Sequence, residues 1–394
     1  MGYISKLENL KSDVAKRNPE LTERKLLEMA DWIDHRWSVI GDVFQDDLSS
    51  IIHDQQDLMA FVMKIHRNEQ SLSLSKLLKQ HNQFPPVLKL QTHVARAHRI
   101  YIMPDVEDTI ETVMIGDIHS DPISCKAILK ACDFFKKVAD RTPIRLIFMG
   151  DYVDRGKAHL EMMDWIFALK YVFPEHVYLL RGNHDGGYIE NNGTVKTPYR
   201  IPDHENPNDY FPPFIRSLEK ENPSILSPIL SDYLAFFESL ATIAVFKKNE
   251  KVYMACHAGI ARPLLEKEHW FDYIDSLSKL TDVSILDHVD RSIVQNIYWS
   301  DPREGDIELN WDSGRFKYNR EHFEAYSAYL GIDVLFRGHE AEKEGVKEFF
   351  GGRVITVFSS GDSMNYGKNV TTAYLGITPK IALVTHQGVT YKQL

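Results

Sequence analysis

Cysteine is scarce in this chain, with three in 394 residues. Cys125, Cys132 and Cys256 fall in no C-x-x-C or metal-knuckle spacing, which excludes a disulfide-framed scaffold and a thiolate zinc site and implies a reducing environment. Long apolar runs are missing too: none approaches the roughly 18 to 20 residues that span a bilayer, and the first residues lack the apolar centre of a secretory signal. The opening MGYISK misses the N-myristoylation pattern, because Lys6 stands where Ser or Thr is wanted. Positive charge is in deficit, 46 Lys and Arg against 56 Asp and Glu for a net of −10. A general nucleic-acid or membrane-surface binder needs a basic face, so both roles are excluded and any phosphate site must be local. These absences lead us to expect a cytoplasmic protein with no membrane span and no nucleic-acid partner.

What is present is enough apolar material, 43% of the residues, to fill a large core. Up to about Gln83 the pattern is helical: Leu26, Leu27, Ala30, Ile33, Trp37 and Ile40 make one stripe, and Ile51, Ile52, Leu58, Met59, Val62 and Ile65 another. Thr22 after Pro19 suits a helix start, and Trp32 and Trp37 read as core. Phe84-Pro85-Pro86 marks a break, after which short apolar runs end in Gly, Asp, His or Asn. We therefore expect a helical N-terminal region over residues 1–95 and an α/β domain over 96–394. The N-terminal helices either brace that domain or bind a protein partner.

Six runs read as buried strands: Val113 to Ile115, Ile144 to Met149, Val177 to Leu180, Val252 to Cys256, Val334 to Phe336 and Val354 to Phe358. Helical patterns at Ser124 to Val138 and His159 to Tyr171 separate the first three, predicting β-α-β units and a largely parallel arrangement. Tyr188 to Pro213 reads as a long loop, and the segments TAYLGIT and KIALVTHQGVTY, from Thr371, as a closing hairpin. Five of the six strands end in donor-rich clusters: GDIH at Asp117 and His119, GDYVDRG at Asp151 to Arg155, RGNHD at Asn183 and His184, CHAG at His257, and RGHE at His339. Any one of these is a common turn or a hydrogen-bonded histidine. Strand ends on one side of a sheet converge, however, and Asp, His and Asn together are the O and N donors that first-row metals prefer. Cys256 alternates away from His257 in an extended strand, and Asp151 is the best placed to bridge two ions. His93 and His98, in HVARAHR, are five apart and match no one-face ligand spacing.

GDIH, GDYVDRG, LLRGNHD, CHAG, WSDP and RGHE, in that order over roughly residues 110–387, resemble the phosphoprotein phosphatase (PPP) family of metal-dependent serine/threonine phosphatases. The resemblance implies a calcineurin-like metallophosphoesterase β-sandwich flanked by helices. It further implies two divalent metal ions, manganese first and iron or zinc otherwise, with Asp117 and His119 on one ion, Asp151 bridging, and Asn183, His257 and His339 on the other. His184 paired with Asp154 would protonate the leaving group; Arg155, Arg315 and Asn183 would bind phosphate; Tyr366 would line the substrate groove. The implied activity is hydrolysis of phosphoserine and phosphothreonine in proteins by hydroxide activated between the ions. Phosphotyrosine or dinucleoside polyphosphates are the alternatives on the same fold. The chain departs from the family at Ser120-Asp121, Asp185 and Ala258-Gly259, and the Tyr188 to Pro213 loop looks inserted. Such divergence resembles bacterial members of the family, some of them effectors exported into host cells.

Overall fold

The computed structural model describes residues 2–40, 45–104, 109–201, 203–222, 229–261, 274–281, 293–305, 307, 315–361, 374 and 376–394. Two mixed sheets face each other. One carries Gly388–Gln393, Lys380–Thr385, Glu111–Ile115, Ile144–Phe148 and Val177–Leu179, in that spatial order. The other carries Ala95–Ala97, Ile100–Met103, Ile243–Lys248, Lys251–Ala255, Val334–Arg337, Val354–Val357 and Val346–Phe349. The expected β-α-β units are there, since Glu111–Ile115, Ile144–Phe148 and Val177–Leu179 run parallel. The wider arrangement is not largely parallel: both sheets also contain antiparallel pairs.

Side-chain alternation explains why two sheets stack. In Ile144–Phe148, residues Ile144, Leu146 and Phe148 pack outward among helices while Ile147 enters the space between the sheets. Lys251–Ala255 does the same with Val252 and Met254 outward and Tyr253 and Ala255 inward. Strands buried on both faces cannot show polar alternation, which is why they read from the sequence as continuous apolar runs. The product is a four-layer α/β/β/α sandwich whose inner core includes Met114, Ile147, Phe246, Tyr253, Phe336 and Val357.

The helix His159–Val172 organises the outer layer on the five-stranded side. It is apolar nearly all round, and every residue except Glu161 is buried, so it needs cover on each face. The N-terminal helices Tyr3–Ala15, Glu23–Ile40 and Gln45–Asn68 supply that cover. They, with Glu69 just after the last of them, also neutralise its two buried charges. Asp164 accepts from Trp37 Nε1 at 3.0 Å and Tyr3 Oη at 3.3 Å and pairs with Arg36 Nε at 3.1 Å. Lys170 Nζ donates to Glu69 Oε1 at 2.6 Å and Val177 O at 2.8 Å. Trp37 therefore does more than fill space. The Glu23–Ile40 helix starts where expected, with Lys25 N donating to Thr22 Oγ1 at 3.4 Å.

Phe84-Pro85-Pro86 opens a further short helix, Phe84–Leu90, since proline is tolerated in a first turn. Three local readings change. The single helix expected from Ser124 to Val138 is two, Pro122–Ala131 and Phe134–Ala139, interrupted by Asp133 at φ 52°. The closing hairpin is formed wholly by Lys380–Thr385 and Gly388–Gln393, so TAYLGIT is not one of its arms. The Tyr188 to Pro213 segment holds a small hairpin, Tyr188–Ile189 with Val195–Lys196, and its last residues start the helix Phe211–Glu221. Among the described residues no helix is long and apolar enough to cross a membrane.

Candidate metal centre

The donor residues follow five strands, three from one sheet and two from the other, so the site sits on the rim of the sandwich rather than over one open sheet. Asp117 and His119 follow Glu111–Ile115; Asp151, Asp154 and Arg155 follow Ile144–Phe148; Asn183 and His184 follow Val177–Leu179. His257 follows Lys251–Ala255 and His339 follows Val334–Arg337. The turns that aim them are strained. His119, Ser120, Asp151, Asp154, Arg155 and His339 all have left-handed backbone, with φ between 45° and 72°. Two glycines let carboxylates come close: a Cβ at Gly182 would lie 2.0 Å from Asp151 Oδ1, and one at Gly338 would lie 2.2 Å from Asp117 Oδ1.

Donor atoms of Asp117, His119 and Asp151 lie within 4.8 Å of one another, and all three residues are buried. His119 Nε2 is 3.6 Å from Asp117 Oδ2 and 3.4 Å from Asp151 Oδ2. Its Nδ1 faces Val153 O at 2.8 Å, and a carbonyl can only accept, so the neutral ring carries its proton on Nδ1 and turns the Nε2 lone pair to the carboxylates. His257 repeats this logic, with Nδ1 on Met149 O at 2.9 Å and Nε2 turned to Asp151 Oδ2 at 3.4 Å and Asn183 Oδ1 at 2.6 Å. His339 Nδ1 lies 2.9 Å from Asn183 Oδ1 and 3.2 Å from His257 Nε2. The geometry thus brings Asn183, His257 and His339 together, with His257 against Asp151.

Acceptors facing acceptors need a proton or a cation between them. Asp117 Oδ2, buried and without a hydrogen-bond partner, marks the same need. Burial opposes charge on His257, but Asp151 and Asp117 beside it push the imidazole up to about 9. Burial would raise the Asp151 carboxyl, yet His257, His184 and His119 hold it well below the usual carboxylate range. A buried anionic carboxylate ringed by imidazoles and an amide oxygen fits a divalent metal ion.

His184 stands beside this cluster. Its ring centroid is 5.1 Å from that of His119, its backbone N donates to Asp151 Oδ1 at 2.9 Å, and its Nδ1 is 2.7 Å from Asp154 Oδ2. Asp154 is buried, and its other oxygen accepts from Phe211 N at 2.6 Å. Asp185 fixes the turn from below, accepting from Asp151 N at 2.8 Å, Tyr152 N at 2.9 Å and Gly182 N at 2.7 Å. The Ser120-Asp121 departure has a structural role: Asp121 caps the following helix through Ser124 N at 2.9 Å, and Ser120 Oγ donates to His159 Nδ1 at 2.8 Å.

Arg155 and Arg315 both hold carboxylates. Arg155 Nη1 meets Glu205 Oε2 at 3.1 Å, and Arg315 reaches Asp301 with Nε at 2.9 Å and Nη2 at 2.8 Å. Asp301 Oδ1 is 3.8 Å from His339 Nε2, which places Arg315 at the border of the cluster. Tyr366 lies outside the described residues. Three aromatic and acidic neighbours escaped the sequence reading: Tyr199, stacked on His184 with centroids 4.2 Å apart, Glu205, and Tyr374, 5.2 Å from His119. Only the length of the loop after RGNHD hinted at the first two, and Tyr374 was hidden in TAYLGIT, read as a strand. The thiols play no part: Cys132 and Cys256 are pushed up to about 12 by burial, and all three cysteines are buried and unbridged.

Known proteins resemble this chain in sequence and in fold. A Caenorhabditis elegans protein bearing the name of a serine/threonine-protein phosphatase is 27% identical over 71% of this chain and 54% of its own length. One from Encephalitozoon cuniculi, named likewise, is 26% identical over 69% of this chain and 51% of its own. The chain thus spans about half the length of the curated relatives it matches. In fold it is similar to a serine/threonine phosphatase from Saccharomyces cerevisiae, with a TM-score of 0.52 and 17% identity over 89% of this chain and 96% of that one. The sequence model described as calcineurin-like phosphoesterase matches residues 110–343, a stretch that includes Asp117, His119, Asp151, Asn183, His257 and His339. A match over more than half of the sequence, on a sandwich whose rim gathers those donors, makes this chain a member of the calcineurin-like phosphoesterase family.

Proposed function

We propose that the chain is a phosphatase of the serine/threonine type, removing phosphate from phosphoserine and phosphothreonine in proteins with the help of two divalent metal ions, manganese first. The observation that carries this reading is the convergence of Asp117, His119, Asn183, His257 and His339 around Asp151, with His184 locked at 2.7 Å to Asp154 next to them. Asp117 and His119 would hold one ion, Asn183, His257 and His339 the other, and Asp151 both. Bound there, the ions would supply Lewis-acid neutralisation of the phosphoryl oxygens and a water acidic enough to give hydroxide near neutral pH.

The rest is done by the chain itself. His184 keeps one ring proton on Asp154 and presents the opposite nitrogen to the leaving oxygen, delivering a proton there as the P–O bond breaks. Arg155 offers a planar fork to the equatorial oxygens, which lysine cannot reproduce, with Arg315 and the Asn183 amide as further phosphate contacts. Substrate has to displace Glu205 from Arg155. Phosphotyrosine is a second reading, favoured by Tyr199, whose ring covers His184 and offers an aromatic wall to an aryl leaving group. Manganese-supplemented assays comparing phosphoserine, phosphothreonine and phosphotyrosine peptides with diadenosine tetraphosphate test it. The proposal expects the first two to be turned over fastest and Asp151→Ala and His184→Ala to abolish turnover; undiminished activity in both variants would sink it.

A further inference from the structure

We propose that the cavity between the N-terminal helices and the edge of the seven-stranded sheet is a binding site for a phosphorylated small molecule, built from residues that take no part in the metal centre. The cavity measures about 470 Å³, within the roughly 300 to 1,000 Å³ range of small-ligand pockets and far more than one phosphate group fills. It lies where the last turn of Gln45–Asn68, the helix Leu72–Gln80, the strand Ala95–Ala97, the end of Ile229–Ser239 and the turn Leu277–Thr281 meet.

Its charge runs against that of the chain. The total is −10, yet this lining holds Arg67, Lys79, Arg96 and Arg99 against one carboxylate, Glu238. That carboxylate is already used, paired with Arg99 at 2.7 Å and also with Arg181. The side chains of Arg67 and Lys79 make no hydrogen bond or ion pair among the described residues. A concave surface with surplus fixed cations concentrates anions.

Unpaired buried polar atoms point the same way. Arg96 Nη1, Thr281 Oγ1 and His66 Nε2 are all buried without a partner, and all three residues line this cavity. Arg96 is fixed in place, Nε on His98 O at 3.1 Å and Nη2 on Ser239 O at 2.6 Å, where it caps a helix end. Capping accounts for Nη2 but leaves Nη1 over. Ser239 Oγ spends its proton on Phe236 O at 2.6 Å, so it must accept from His66 Nδ1 at 2.9 Å, which leaves Nε2 as a lone-pair acceptor. Burial, with Lys170, Arg96 and Arg67 nearby, holds His66 well below its ordinary value and so keeps it neutral. Donors at Arg96 and Thr281 and an acceptor at His66, all on residues of this one lining, suit a phosphate oxygen together with a hydroxyl, the pattern of a sugar phosphate. The HVARAHR stretch, which matched no metal spacing, supplies three of the lining residues, Arg96, His98 and Arg99.

The test uses the full chain carrying Asp151→Asn, so that the metal centre does not hydrolyse the probe, with metal-stripped wild type as a second background. Calorimetric titration with inorganic phosphate and with a pentose phosphate, at low salt, should show binding of both, the pentose phosphate at least as tight. Arg67→Ala with Lys79→Ala removes two exposed, unpaired cations, so it should leave the melting temperature without ligand unchanged and weaken binding roughly tenfold. Thr281→Val, which alters no charge, should weaken it severalfold. Binding of neither probe in either background, binding of phosphate but not of the pentose phosphate, or affinities indifferent to both sets of substitutions would overturn the proposal.

Discussion

Replacing Asp154 with Asn tests the proton-delivery role without emptying the site. Asp154 Oδ1 accepts from Phe211 N at 2.6 Å and Oδ2 faces His184 Nδ1 at 2.7 Å. In the variant Phe211 N claims the amide oxygen, so the amide NH₂ faces His184 Nδ1. That nitrogen must then accept, and the ring is left neutral with its proton on Nε2, a far weaker acid than imidazolium. A charge-assisted hydrogen bond is worth about 1.5 to 3 kcal/mol, or roughly 10- to 150-fold in rate, and losing the acid form adds to it, within the roughly 10² to 10⁴ that general acids contribute. We expect kcat on a phosphoserine peptide to fall about 10² to 10³-fold. On p-nitrophenyl phosphate, whose leaving group departs without help, the fall should be below about fivefold. A phosphotyrosine peptide, with a leaving phenol of pKa about 10, should lie between them. Equal losses on all three substrates would refute the assignment, because a group that only positions substrate or metal cannot discriminate by leaving-group basicity.

Three further outcomes follow from other contacts. Gly182→Ala puts a Cβ 2.0 Å from Asp151 Oδ1 and 2.3 Å from Asp151 N; backbone must move, and metal titration should show affinity weakened by at least about tenfold. Glu205→Gln removes the half-buried carboxylate that holds Arg155, so inorganic phosphate should inhibit roughly two- to fivefold more tightly, a gain of about 0.5 to 1 kcal/mol; an unchanged inhibition constant would count against competition at Arg155. Burial pushes Glu161 up to about 7, against Lys126. A raised acid costs the folded state nothing below its unfolded value and an increasing amount as pH climbs towards 7, so Glu161→Gln should stabilise the protein above pH 7 by about 1 to 2 kcal/mol after solvent screening and not at pH 4. Denaturant titrations at the two pH values read this directly.

Much of the fold and of the site could be read in the amino-acid order, for identifiable reasons. Strands such as Ile144–Phe148 and Val334–Arg337 are buried on both faces, so they stand out as apolar runs closed by Gly-Asp or Gly-His. Ile243–Lys248 and Ile100–Met103 were missed because no donor cluster or glycine closes them, although both are core strands. The sequence also could not show that two sheets share the rim, because pairing between Asp117 and Phe358 joins segments 241 positions apart. Tyr199 and Glu205 are contacts of a polar loop, and no periodicity marks which loop residue folds back over a histidine or an arginine. Asp133 ended a helix that its pattern would continue, since Asp tolerates left-handed backbone and apolar spacing ignores it.

Left-handed backbone at His119, Ser120, Asp151, Asp154, Arg155 and His339 costs of order 1 kcal/mol or more at each position, a sizeable fraction of the roughly 5 to 15 kcal/mol by which a domain is stable. Such turns persist only where surroundings over-determine them. Here His119 N and Ser120 N bond the carbonyls of Asp151 and Tyr152 at 2.9 Å, tying two strained turns to each other, while Asp185 takes three backbone donors beneath them. The strands that carry the turns are held from both faces, and the outer face depends on His159–Val172, whose buried Asp164 and Lys170 find their partners at Tyr3, Arg36, Trp37 and Glu69. The N-terminal helices therefore belong to the energetics of the metal centre although none of their described residues is among its donors: without them Asp164 and Lys170 would lose those partners and the site's strained turns would lose their rigid floor.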